Sequence, residues 1–214
     1  MRRHTATRRH TSLRVVLATS NPGKQREFAA LLEPLGLELI LQSTLGIEPV
    51  PETGASFAAN ALLKAAHAAA QSGLAALSDD SGLEVDALSG RPGIHSARFA
   101  GEQADDAANN LLLIQQLRAV TNDAQRSARY RCVLALVRGP AEPAPLFAHG
   151  SWEGRIAQHA CGSGGFGYDP WFIPHGMSIT AAEMSAADKN AASHRGLALR
   201  ALTQALAQAV PAWP

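Results

Sequence analysis

Several features that would fix the class of this chain early are scarce or missing. There are only two cysteines, Cys132 and Cys161, far apart and in no C-x-x-C pair. A reduced, cytoplasmic setting is therefore expected rather than secretion. No window approaches 18 uninterrupted apolar residues, so no membrane partner is expected. The formal net charge is only +1 and charged residues make up 17%, which gives no reason to expect nucleic acid as a partner. No segment repeats. The G-x-x-x-x-G-K-[ST] spacing of a Walker A loop is absent, and so is the G-x-S-x-G elbow of a serine hydrolase.

What remains is a chain of 214 residues, 46% hydrophobic. That suits one domain, with room for two lobes and a large core. Residues 1–14 differ from the rest, with five arginines and no acid. They lack the apolar run of a secretory signal. Their composition weakly resembles a transit peptide, but a disordered basic tail or an early start codon is the plainer reading. Residues 1–12 are set aside as that tail, and residues 13–210 are expected to form the domain.

The stretch Ala76-Leu77-Ser78-Asp79-Asp80-Ser81-Gly82-Leu83-Glu84-Val85 stands out. It reads as the end of a buried strand followed by a turn that carries two carboxylates, a hydroxyl and a glycine. By itself that pattern is equally a solvated turn, since Asp, Ser and Gly all favour turns. Adjacent carboxylates in a partly dry site repel, and a divalent cation relieves that cost. Mg²⁺ takes oxygen ligands of this kind, one or two carboxylates plus substrate phosphates.

Earlier in the chain, residues 13–19 form an apolar, β-rich run. The residues Ser20-Asn21-Pro22-Gly23-Lys24 follow, and then a helix with Phe28, Leu31, Leu32 and Leu35 on one face. Ser20 or Asn21 can cap it, with Pro22 at its first position. A loop of this kind presents free N–H groups and a positive dipole end, and Lys24 adds a charge suited to phosphate. Residues 37–41 read as a second strand and residues 56–72 as an alanine-rich helix that ends at Gly73. Glu52, just before that helix, suits a capping role or a metal.

Asp105 opens an amphipathic helix, and the strands 129–137 and 146–156 are joined by a Pro-rich turn. The glycine-dense loop Gly162–Pro170 carries Phe166 and Tyr168. Glycine permits close approach to a ligand, and a loop aromatic can stack on a base. A last helix is expected from Ser185 to about Leu206, with Ser193 and Arg195 on different faces; Pro211 and Pro214 mark the end of the fold. Helices and strands alternate early and a hairpin follows, which indicates an α/β fold around a mixed sheet.

Taken together, the motifs resemble the inosine triphosphate pyrophosphatase family. The resemblance rests on Thr19–Lys24, Glu52-Thr53-Gly54, Asn60–Ala65, Ser78–Leu83, Pro92–Arg98, Gly164–Pro170 and Ser193–Gly196, seven segments in family order. It implies a long central mixed β-sheet flanked by helices, with an active-site cleft between two lobes. It implies a homodimer that uses Mg²⁺ to hydrolyse non-standard purine nucleoside triphosphates (ITP, dITP, XTP) to the monophosphate and pyrophosphate.

By the same resemblance, Thr19, Ser20, Asn21, Pro22, Gly23 and Lys24 hold the triphosphate, and Lys64 adds a second charge. Glu52 and Asp80 bind the metal, with Asp79 in or near that shell, and Asp80 orients or deprotonates the attacking water. Ser81 contacts the nucleotide. Phe166 stacks on the purine, and Gly167, Tyr168, Asp169, Lys189, His194 and Arg195 complete the base site. The linker 175–179 lacks the lysine often seen before the Thr-Ala-Ala-Glu segment. The competing readings are another Mg²⁺-dependent nucleotide pyrophosphatase, for altered pyrimidines or a broader set, and a non-catalytic nucleotide sensor or RNA-binding module. The large keto-purine site, the intact Glu52/Asp80 pair and the near-neutral charge weigh against them.

Overall fold

The computed structural model describes residues 14–33 and 37–209. The basic tail, Leu35, Pro211 and Pro214 lie outside them. Six strands form one sheet in the order β2-β1-β3-β4-β5-β6. β1 (Arg14–Leu17) lies parallel to both β2 (Glu38–Leu41) and β3 (Ala75–Val85). β3, β4 (Ser127–Val137), β5 (Leu146–Ile156) and β6 (Phe172–Pro174) are successively antiparallel. The sheet is thus mixed, as expected.

Side-chain alternation along β1 and β3 decides what covers each face. Val16, Ala18 and Ala76 share a cluster with Ala61, Ala65, Ala68 and Ala69 of α2 (Phe57–Ser72). The alanine stripe lets this helix lie close to the sheet. Val15, Leu17, Ala75 and Leu77 point the other way. They pack with Phe28 and Leu32 of α1 (Pro22–Leu32) and with Ala198, Leu199 and Leu202 of α5 (His194–Ala209). A third cluster lies at the far end of the long strands, where Leu83, Val85, Tyr130, Trp152 and Phe172 meet Leu113 and Leu117 beside α3 (Asp106–Gln116). Two lobes thus share one sheet.

Local chemistry sets the helix ends. The Asn21 side chain accepts the Lys24 N–H at 3.0 Å and Pro22 follows at the first turn, so of the two expected capping residues it is Asn21 that acts. Ser56 caps α2, and Gly73 closes it at φ +69°. Asp105 caps α3. The buried Arg126 guanidinium donates to the carbonyls of Leu117, Val120, Ile156 and Ala157 at 2.8–3.2 Å. It thereby fastens the chain leaving α3 to the end of β5.

Two expectations are corrected. Asp79, Asp80, Ser81 and Gly82 do not form a turn. They lie inside the 11-residue strand β3, paired with β4 throughout. Turn-forming residues are tolerated there because each polar side chain finds a partner on its own face. The C-terminal helix is also not continuous. Ser193, with extended backbone, ends α4 (Ala186–Ala192) and begins α5. Its carbonyl accepts the Leu197 N–H at 2.8 Å, and its own N–H donates to the Lys189 carbonyl.

Candidate active site

The strand that carries the acidic pair sends its two carboxylates to opposite faces. Asp80, in phase with Ala76 and Ser78, faces α2. Its Oδ2 accepts from Asn60 Nδ2 at 3.0 Å, and its Oδ1 lies 3.7 Å from Lys64 Nζ. Asp79, in phase with Leu77, faces α1 and α5. Its Oδ2 takes Lys24 Nζ at 2.8 Å and the Ser81 hydroxyl at 2.9 Å. Asp79 is fully buried and its side chain leaves the strand on the opposite face from that of Asp80, yet both carboxylates feel the Lys64 ammonium.

The two neighbours titrate in opposite directions. Burial raises the Asp80 pKa, and Glu52 adds to this; Lys64, Lys24 and Asn60 only partly offset it. Burial pushes Asp79 up as well, but Lys24, Arg195 and Lys64 outweigh it and hold the carboxyl well below the usual range. The difference lies in the number and closeness of cations, not in the residue type.

A cleft of about 550 Å³ opens between the lobes. One end is lined by Thr19, Ser20, Asn21, Lys24, Glu52, Lys64, Asp80 and Ser81. Lys64 pairs with Glu52 as well as Asp80, and Arg98 reaches Glu52 at 3.5 Å. Glu52 is lowered despite burial, because Lys64, Lys24 and Arg98 surround it. Asn60 also accepts the Gly54 N–H at 2.7 Å, so one buried amide places both Asp80 and the Glu52 loop.

Among the described residues no group of three or more His, Cys, Asp and Glu forms a ready metal cage. Asp80 and Glu52 nevertheless converge on one ammonium at the rim of an open cleft. Two carboxylates meeting at one point, one of them with a raised pKa, fit a hard cation whose other positions are filled by phosphate and water.

At the other end Phe166, Gly167, Tyr168, Tyr130 and Arg195 line the cleft. Phe166 lies against Gly23, where a Cβ would sit 2.6 Å from its ring. This explains a glycine in the phosphate-suited loop. Lys189 Nζ and Arg195 Cζ each lie 5.0 Å from the ring centroid, in cation–π range. Both cations share Glu27: Lys189 Nζ at 2.7 Å and Arg195 Nη1 at 2.8 Å. Lys189 also reaches Asp169 at 2.6 Å, and Asp169 in turn accepts the Phe166 N–H at 2.8 Å and the Tyr130 hydroxyl at 3.2 Å. Arg195 Nη2 donates to Ser81 at 2.9 Å.

Lys189 and Asp169 sit behind the cleft wall rather than in it. His194 lies deeper, its ring stacked on Tyr130 at 4.7 Å and 8°. Among the described residues neither of its nitrogens has a hydrogen-bond partner. Burial holds its pKa well below the usual value, and Arg195, Lys189 and Lys24 lower it further. His194 is therefore a neutral support beneath Tyr130 and does not line the cleft.

Glu27, Tyr130 and Asn60 were not assigned roles from sequence. Glu27 follows Lys24 by three residues, so it shares a helix face with the loop it serves. That spacing was a usable signal. Tyr130 carries none, because its position depends on strand register.

Comparison with known proteins gives relatives over nearly the whole chain. The model of the Ham1 family matches residues 15–205. The chain is 54% identical over 196 residues to a dITP/XTP pyrophosphatase of Erwinia tasmaniensis, covering 92% of this chain and 95% of that one. It is 52% identical over 194 residues to one of Thioalkalivibrio sulfidiphilus, covering 91% and 98%. Among solved structures, a HAM1 protein from Coxiella burnetii superposes with a TM-score of 0.83 at 45% identity, over 92% of this chain and 100% of that one. The Staphylococcus aureus Ham1 protein gives 0.77 at 37%, over 91% and 98%.

Proposed function

Because the chain belongs to the Ham1 family, we propose that it hydrolyses dITP, ITP and XTP to the nucleoside monophosphate and pyrophosphate. The observation that carries the reading is the cleft with two unlike ends. Asp80 and Glu52 stand with Lys24 and Lys64 at one end, and Phe166 stands with Arg195 at the other.

The triphosphate lies along the Thr19–Lys24 loop. The α1 N-terminus and Lys24 face its oxygens there, and Lys64 adds charge from α2. Water attacks the α-phosphorus as the α–β bridging bond breaks, and pyrophosphate leaves. Asp80 takes the proton of that water. Asn60 holds Asp80 in place through Oδ2. Glu52 and Asp80 would hold Mg²⁺, which neutralises phosphate charge and polarises the phosphoryl group.

At the other end the purine stacks on Phe166. Arg195 offers five N–H donors, of which two are committed to Glu27 and Ser81. The Nε–H faces the buried Asp79, and the second N–H of each terminal nitrogen suits the 6-oxygen of a keto purine, whereas adenine places an amine against a donor. An unpaired buried group of that kind gives discrimination on the order of 10⁴. Asp169, Lys189 and His194 act here as supports of Phe166, Arg195 and Tyr130.

The same reading takes residues 13–210 as one domain and the working form as a cytoplasmic homodimer. No helix among the described residues is long and apolar enough to cross a membrane.

The test is pyrophosphate release from ITP, dITP, XTP, GTP and ATP, each with and without Mg²⁺. The expected result is fast, metal-dependent release from the first three and release at least about a hundredfold slower from the last two, ATP being refused at its 6-amine and GTP, which shares the 6-oxygen, at its 2-amine. Equal rates on all five would remove the role given to Arg195. No release from any would remove the activity.

A further inference from the structure

The loop that carries Phe166 has little conformational preference of its own. Gly165 and Gly167, on either side of the phenylalanine, sit at φ +71° and +63°, where glycine is free to move to many other conformations. Something outside the loop must fix the height of the ring. Asp169 holds the Phe166 N–H from within the loop. The next residue is held from outside the loop, by α3.

Both backbone polar groups of Gly167 are bound by side chains of that helix. Asp106 Oδ2 accepts the Gly167 N–H at 2.7 Å, and Asn110 Nδ2 donates to the Gly167 carbonyl at 2.9 Å. The two side chains are four residues apart, so they lie one above the other on a single helix face. The helix is itself anchored. Asn109 donates to the Ala97 carbonyl at 3.1 Å and accepts the Ala100 N–H at 2.8 Å. Arg126 fastens the chain just beyond its C-terminal end. The capping role belongs to Asp105, which leaves the Asp106 carboxylate free for Gly167.

We propose that Asp106 and Asn110 are positioning residues for base recognition. They form a two-point clamp on Gly167 that sets the Phe166 ring at the height a purine needs. The inference rests on the purine site described above. It extends that site to a helix that supplies no group to the phosphates. The clamp acts by holding a backbone, so it is indifferent to which keto purine is bound, and it leaves the chemistry at Asp80 alone.

The experiment compares the wild type, Asp106→Ala, Asn110→Ala, the double variant and the conservative Asp106→Asn, whose amide oxygen still accepts from Gly167. The readouts are kcat and KM for ITP, the inhibition constant of inorganic tripolyphosphate, thermal stability, and hydrogen exchange in residues 162–170. The double variant is expected to raise KM for ITP about tenfold or more, with kcat within about threefold. Tripolyphosphate inhibition should not change, and exchange should quicken in the loop alone. Asp106→Asn should return KM to within about twofold of wild type. An unchanged KM in the double variant would overturn the clamp. So would equal losses in kcat, tripolyphosphate affinity and thermal stability, because these describe a structural defect. A wild-type protein that neither hydrolyses nor binds ITP would overturn the purine reading and the clamp with it.

Discussion

The two ends of the cleft are charged by different means. At the end with Glu52 and Asp80, charges of both signs line the cleft, with Glu52 and Lys64 half-buried and Asp80 buried, and burial raises the Asp80 carboxyl. That end is poised for a cation and an anion to enter. At the end with Phe166, the charges are buried and already paired, in the alternating series Asp79, Arg195, Glu27, Lys189, Asp169. Charges spent on one another make a rigid frame for an aromatic ring. Charges left incompletely paired make a reaction site. The difference is sharpest between Asp79 and Asp80, which are neighbours in sequence and opposite in environment.

The largest effect that tests this contrast is expected at the open end. Asp80→Asn should lower kcat on the order of 10²–10⁴ while nucleotide affinity is largely kept. Pyrophosphate release and equilibrium binding read the two separately. A loss of affinity as large as the loss of turnover would assign Asp80 to binding instead.

At the buried end the expected loss is in folding. Asp79→Ala leaves Lys24 and Arg195 without their shared carboxylate, and removing one member of a buried pair costs about 3–5 kcal/mol. Urea unfolding should show this for Asp79→Ala and not for Asp80→Asn. Comparable destabilisation by both would erase the distinction.

Phe166→Ala comes next. Stacking on an aromatic is worth about 1–3 kcal/mol per base, so KM for ITP should rise by roughly 5–150-fold. Inhibition by tripolyphosphate should be untouched, since that probe fills only the other end.

The smallest effects are in pH dependence. Asp79 has a folded pKa below its unfolded value. The stability it contributes is therefore present above the ordinary aspartate range, near ~3.9, and is lost as pH falls through and below it. The His194 pKa is also depressed, so the unfolded chain takes up a proton that the fold refuses. Stability then falls as pH drops below ~6.5, by up to about 1.4 kcal/mol per pH unit. His194→Phe keeps a stacking ring and should flatten that slope in urea titrations between about pH 5 and 7. An unchanged slope would show that His194 is not the group responsible.

Much of this was legible in the sequence where the chemistry is local. The Asn21 cap, the alanine stripe of α2 and the hairpin of β4 and β5 follow from residue type and spacing within a few positions, and the segments that meet in the cleft follow from the family resemblance. From sequence the acidic pair reads as a turn because Asp, Ser and Gly are turn formers when nothing else is known. Strand pairing on both sides overrode that preference. The C-terminal helix was drawn as continuous because Ser193 is tolerated inside helices. Its break brings Lys189 and Arg195 to the same carboxylate, and only Glu27, more than 160 residues away in the chain, reveals why.

The sequence by itself determined the elements, their caps, the family and the residue types available for the chemistry, because these depend on neighbours along the chain. The tertiary structure decided which of two adjacent aspartates is a base and which is a brace. It also drew Glu27 into the frame and brought Asp106 and Asn110 to Gly167. Those outcomes depend on burial and on partners far away in sequence. Burial and pairing set the energy of a charge, so the same residue type takes opposite roles on opposite faces of one strand.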